Sequence, residues 1–131
     1  MKLLHNENCE FQSKGRTFHL VGLGDLWAGE LDPVRAFPAP SPNRVILLSH
    51  NPDTKDLLED YQWDLMLSGH THGGQLYLPG LGAPFAPVRD RRYLAGLKPW
   101  KNRLIQVTTG VGNLYGLRFN CRPEVSLLQL K

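Results

Sequence analysis

The sequence predicts an α/β fold built on one βαβ unit and completed mainly by strands. The runs Val45-Ile46-Leu47-Leu48 and Leu65-Met66-Leu67 are continuously apolar rather than alternating, as in strands buried on both faces. Between them lie the signals of a helix start: Asn51 can cap, Pro52 suits the first helical position, and Asp53 and Asp56 favour the positive end of the dipole. Leu57, Leu58 and Tyr61 are the expected buried face of that helix. A right-handed crossover through it sets the two strands parallel in one sheet.

The flanking elements follow in order. Arg16-Thr17-Phe18-His19-Leu20-Val21 reads as a strand, after which Gly22, Gly24 and Gly29 loosen the path. Pro33, Pro38, Pro40 and Pro42 predict an extended connector, because proline fixes φ and removes a donor. Beyond the βαβ unit, Gln75-Leu76-Tyr77-Leu78 reads as a short strand, and the apolar, turn-rich loop 79–87 is placed at the mouth of a cleft. Arg103-Leu104-Ile105-Gln106-Val107 and Val125-Ser126-Leu127-Leu128-Gln129-Leu130 read as closing strands. The glycines at 110, 112 and 116 lack the spacing of a dinucleotide-binding loop and predict ordinary turns.

The chemistry concentrates in Gly69-His70-Thr71-His72-Gly73-Gly74-Gln75. Residues i and i+2 of an extended segment point the same way, so His70 and His72 are expected to face one pocket. Imidazole is the commonest protein ligand for transition metals. Gly69, Gly73 and Gly74, lacking a β-carbon, are expected to leave room for ions and substrate. His50 closes the first apolar run, and the parallel topology puts it beside His70 at the carboxyl edge, where open α/β sheets bind ligands. Taken singly, each histidine is also compatible with a turn or strand-end polar group; the topology joins the three.

Ser49-His50-Asn51-Pro52-Asp53, the Gly-His-Thr-His-Gly-Gly-Gln string and Phe119-Asn120-Cys121-Arg122-Pro123-Glu124-Val125 resemble the C-terminal half of a calcineurin-like metallophosphoesterase, and Val21–Gly29 is similar too. The resemblance implies half of an α/β sandwich and a phosphodiesterase that uses two divalent ions, manganese, iron or zinc, with a hydroxide held between them attacking phosphorus. By the same resemblance His50 and His70 would bind one metal and His72 the other, while Asn51, Gly73, Gly74 and Gln75 would meet the substrate. The family's Asp-x-His, Gly-Asp-x-x-Asp and Gly-Asn-His-Asp or Gly-Asn-His-Glu motifs do not occur in this sequence. Gly24-Asp25 does not replace the second of them, since its second aspartate would fall at Ala28; Asp25 reads as a turn residue. The expectation is a partial metallophosphoesterase domain over residues 1–131, with part of the ligand set, no residue assigned a catalytic role, and no activity by itself.

With 131 residues, 41% of them apolar, the chain fits one core. Its net charge of +3 and pI near 9.0 are mild, and no interleaving of basic and aromatic residues points to nucleic acid. Cys9 and Cys121 are expected to be two buried thiols. No run approaches the roughly 20 apolar residues of a membrane span, so the chain as written is expected in the cytoplasm, although complete family members can be membrane-associated or exported. The loop 79–92, apolar and with Arg91 and Arg92, suggests a lipid-like phosphodiester as substrate, and a half sandwich should associate through its exposed sheet. Two other readings stand beside this one: a single-zinc hydrolase using His50, His70 and His72, and a non-enzymatic remnant or interaction module.

Overall fold

A two-residue turn at Lys14 and Gly15, both at positive φ, closes the hairpin of β1 (Glu7–Ser13) and β2 (Arg16–Gly22), the conformation that matches strand twist. The computed structural model describes residues 2–39, 44–113 and 116–130. After β2 come a single helical turn, α1 (Pro33–Ala36), then β3 (Val45–Leu48), a 3-10 helix over Pro52–Leu57, β4 (Leu65–Ser68), β5 (Gly96–Trp100) and β6 (Arg103–Val107). The six strands form one mixed sheet in the order β1-β2-β3-β4-β6-β5. Its centre, β2-β3-β4-β6, is parallel, and both edges are antiparallel.

The expected βαβ unit is present, with Leu48 opposite Leu67 in parallel register. Asp64 sets its entry, because its carboxylate accepts from Val45 N at 2.8 Å and its own N donates to Val45 O at 3.0 Å. The crossover differs from expectation. Asn51 caps it by accepting from Asp53 N at 2.8 Å, but the helix is of the 3-10 type. Three residues per turn rotate Leu57 into solvent and bury Pro52, Asp53, Thr54 and Lys55 instead, while Leu58 remains in the core. Lys55 is buried against Asp53 and Asp56, with its ammonium 4.9 Å from the Tyr93 ring centre.

Only one face of the sheet carries the main core. Val21, Leu47, Met66 and Ile105 align across four strands and are fully buried. Ala36, Leu58, Trp63, Tyr93 and Trp100 cover them. Arg103 fastens this layer: its guanidinium stacks on Trp63 and Trp100 and donates to the carbonyls of Leu58, Glu59 and Tyr61 at 2.8–3.1 Å. On the opposite face Leu97 is 51% and Leu104 44% exposed, and Leu48, Leu65 and Leu67 are half-buried. The expectation of strands buried on both faces therefore holds on one face only.

Other expectations change. Pro33 opens α1 instead of an extended connector, with Asp32 capping it; Pro40 and Pro42 lie outside the described residues. Gln75–Leu78 forms only isolated bridges, Leu76 to Phe119 and Leu78 to Gly82. The segment 125–130 is irregular, with Val125 and Leu127 exposed, because no strand edge pairs with it. Turns occupy the described part of the glycine segment 110–116, of which 114 and 115 lie outside the described residues. Cys121 is buried and Cys9 only partly so.

Replacing Arg103 with lysine leaves three carbonyls with a single point donor and removes the planar stack. Arg103→Lys should lower stability by about 1–3 kcal/mol, read as a fall in the urea midpoint with an unchanged slope.

Candidate metal centre

The parallel register delivers His50 and His70 to the same carboxyl edge. Ser49 N donates to Leu67 O and Gly69 N to His50 O, both at 3.1 Å, continuing the ladder past the strand ends. His50 Nε2 then lies 3.0 Å from His70 Nδ1, with the rings 73° apart. This is an imidazole–imidazole hydrogen bond, and two nitrogens each about 2.1 Å from one tetrahedral ion lie about 3.4 Å apart, so a small opening of the pair would let it share an ion. Burial, and then the charge of the neighbouring His50, hold the His70 imidazole below its ordinary pKa, which favours the neutral, ligating form. Its Nε2 is buried and finds no hydrogen-bond partner among the described residues.

His72 is reached differently from expectation. The strand ends at Ser68, and His70, His72 and Gln75 all have positive φ (64°, 49° and 57°). Left-handed backbone at three non-glycine residues within six positions is strain held in place by its surroundings, as occurs at ligand sites. The side chains of 70 and 72 are therefore presented by a contorted turn, not by an extended segment. His72 Nδ1 stands 3.2 Å from Gln75 Oε1, and among the described residues no three His, Cys, Asp or Glu groups gather as one metal cluster.

The backbone around the turn is clamped from outside. Thr71 Oγ1 accepts from Gly73 N and donates to Leu94 O at 2.7 Å. The His72 carbonyl accepts from Cys121 Sγ at 2.9 Å and from Arg118, whose guanidinium also reaches the Thr109 carbonyl at 2.8 Å. Cys121 lies in the 119–125 stretch that carries the family resemblance, whereas Arg118 belongs to no motif and only its place beside the turn reveals its role.

Gly73 and Gly74 act otherwise than expected, whereas the face of Gly69 is open, with only Thr108 within 4 Å of a β-carbon placed there. A β-carbon on Gly73 would lie 2.4 Å from Cys121 Sγ, and one on Gly74 2.2 Å from the Ala83 β-carbon. Their bare faces are filled by protein, not left open for ions or substrate, although Gly74 does border a cleft. That cleft, of about 290 Å³, is lined by the polar His70, His72 and Gln75 and the apolar Leu76, Phe85 and Pro87. A second hollow of about 330 Å³ lies on the other side of His50, against Leu48, Leu67 and Gly69. Asn51 is buried, its Oδ1 spent on capping and its Nδ2 without a partner among the described residues.

Two more expectations meet the geometry here. Asp25 is a turn residue: its Oδ1 accepts from Trp27 N at 2.8 Å and Ala28 N at 2.9 Å, and the Ala28 bond is the main cause of its depressed pKa. The guanidinium of Arg91 donates to the carbonyls of Ala83 and Pro84, and Arg92 pairs with Asp90, so both arginines brace their own loop.

Several sequence relatives carry phosphodiesterase or metallophosphoesterase names. Phosphodiesterase YaeI of Escherichia coli is 55% identical over 128 residues, which is 98% of this chain and 47% of that protein. UDP-2,3-diacylglucosamine pyrophosphatase LpxG of Chlamydia trachomatis is 37% identical over 98% of this chain and 41% of its own length. The uncharacterized metallophosphoesterase YkuE of Bacillus subtilis is 35% identical over 89% of this chain and 42% of its own length. The chain belongs to the calcineurin-like metallophosphoesterases. It spans less than half the length of these relatives. No protein-family model and no solved structure matches it.

Gly73→Ala combines a backbone penalty with a collision, whereas Gly80→Ala, at φ 77° with open space around it, carries the backbone penalty alone. Gly73→Ala should cost about 1–3 kcal/mol more than Gly80→Ala in thermal or urea unfolding.

Proposed function

We propose that residues 1–131 form the C-terminal part of a phosphodiesterase domain and supply one wall of a two-metal site. In this reading His50 and His70 hold one divalent ion and His72 contributes to a second. The observation that carries it is the 3.0 Å approach of His50 Nε2 and His70 Nδ1 at the carboxyl edge of the sheet, with His72 turned aside toward Gln75. Among the described residues the three imidazoles do not gather as one cluster, which speaks against a single zinc held by all three. Bound there, the ions would neutralise the phosphoryl oxygens and supply the hydrolytic nucleophile.

The chain's own residues do the rest. The strained turn and its clamps, Thr71, Cys121 and Arg118, keep the imidazoles from relaxing. Gln75 and Gly74 border the cleft where the ester would lie, and Asn51 caps the 3-10 helix that follows His50. Phe85, 75% exposed, gives the cleft an apolar wall suited to a lipid-like ester, in keeping with a relative named for acting on a diacylated sugar nucleotide. The remaining ligands and the proton donor are assigned to sequence that residues 1–131 do not contain. The exposed leucines of the second sheet face are assigned as the surface on which that sequence packs, since the relatives are about twice as long.

The test is an assay with manganese and a generic aryl phosphodiester, with and without a polypeptide carrying the three absent motifs. Residues 1–131 alone should show no turnover above His70→Ala background, and the added polypeptide should restore it. Strong activity from residues 1–131 alone would overturn the proposal.

A further inference from the structure

Metal-binding histidines are ordinarily held by a hydrogen bond from the ring nitrogen that does not face the metal. His70 has no such bond among the described residues, since its Nδ1 faces His50 and its buried Nε2 has no partner. What contacts the ring instead is Trp27, with centroids 4.3 Å apart and planes at 86°, the edge-to-face arrangement that aromatic pairs prefer. Trp27 is nonetheless 66% exposed, so packing of the core does not account for its position.

The loop that carries Trp27 is built to hold it still. At its root the buried Asn6 side chain accepts from Gly24 N at 2.8 Å and Asp32 N at 3.1 Å, and donates to Glu30 O at 2.6 Å. Within it, Asp25 Oδ1 accepts from Trp27 N and Ala28 N, and Glu30 N returns to Asp25 O at 3.0 Å. One asparagine thus closes the loop, and one aspartate fixes the backbone of the residue that meets the histidine.

We propose that Trp27 is the positioning residue for His70: the Asn6-anchored loop sets the indole against the imidazole and keeps Nδ1 turned toward His50. This rests on the reading of His50 and His70 as ligands of one ion. An exposed indole takes the place of the missing hydrogen bond, and the loss of such an orienting partner costs about 10-fold or more in metal affinity.

The test uses the 131-residue chain and Zn2+ alone. Calorimetric affinity is measured for the parent, Trp27→Ala, Trp27→Phe and His70→Ala, and the imidazole resonances of His70 are recorded without metal. Trp27→Ala should shift the His70 resonances and weaken Zn2+ binding roughly 10-fold, and Trp27→Phe should recover most of both. Unchanged affinity in Trp27→Ala, with binding lost in His70→Ala, would overturn the positioning role and leave the metal reading standing. Unchanged affinity in His70→Ala would overturn the metal reading and the proposal with it. Because Trp27 is exposed, the fold should survive its removal, and far-UV circular dichroism checks this.

Discussion

The parallel register between β3 and β4 is the constraint on which the rest depends. With Leu48 opposite Leu67, the two chains leave the sheet side by side, and the bonds Ser49 N to Leu67 O and Gly69 N to His50 O carry that alignment to the histidines. A slip of two residues would displace one imidazole by about 6.6 Å relative to the other and separate the pair. The apolar row of Val21, Leu47, Met66 and Ile105 opposes such a slip, because the fully buried side chains would no longer stand opposite one another across the four strands. Stability and site geometry are in this sense one problem: the residues that bury the sheet also set the 3.0 Å contact between His50 and His70.

The centre of the fold was legible for this reason. Continuous apolar runs, a capping asparagine and Pro52 suffice to read β3, the crossover and β4, and the strand-end histidines follow from topology. The edges were not legible. In β1, Glu7–Ser13 is largely polar and exposed, and it becomes a strand only because Lys14 and Gly15 turn it back on β2. In β5, Lys98 and Pro99 argue against a strand, yet an edge strand tolerates a proline. Val125–Leu130 has strand-like composition and no strand, because composition cannot show whether an edge is available.

Within the site, the meeting of His50 and His70 was readable, but not how His70 and His72 are presented. Nothing in the spacing of His70 and His72 announces left-handed backbone at both, since the turn is held by Thr71 within it and by Arg118 and Cys121 from more than 40 positions away. Glycines beside the histidines suggest open space, yet Gly73 and Gly74 accept close packing from Cys121 and Ala83. No local pattern singles out Trp27, because its contact with His70 depends on the Asn6 anchor, 21 positions away in sequence. The division of the sheet into a covered and an uncovered face likewise needed three dimensions, because the same leucine-rich strands serve both.

The most direct test of the central claim is the number of manganese ions held at equilibrium dialysis. The account predicts at most one, weakly bound and lost in His50→Ala, for residues 1–131 alone, and two when a polypeptide bearing the absent aspartate, asparagine and histidine motifs is added. Two tightly held ions on residues 1–131 alone would contradict the reading of this chain as one wall of a shared site.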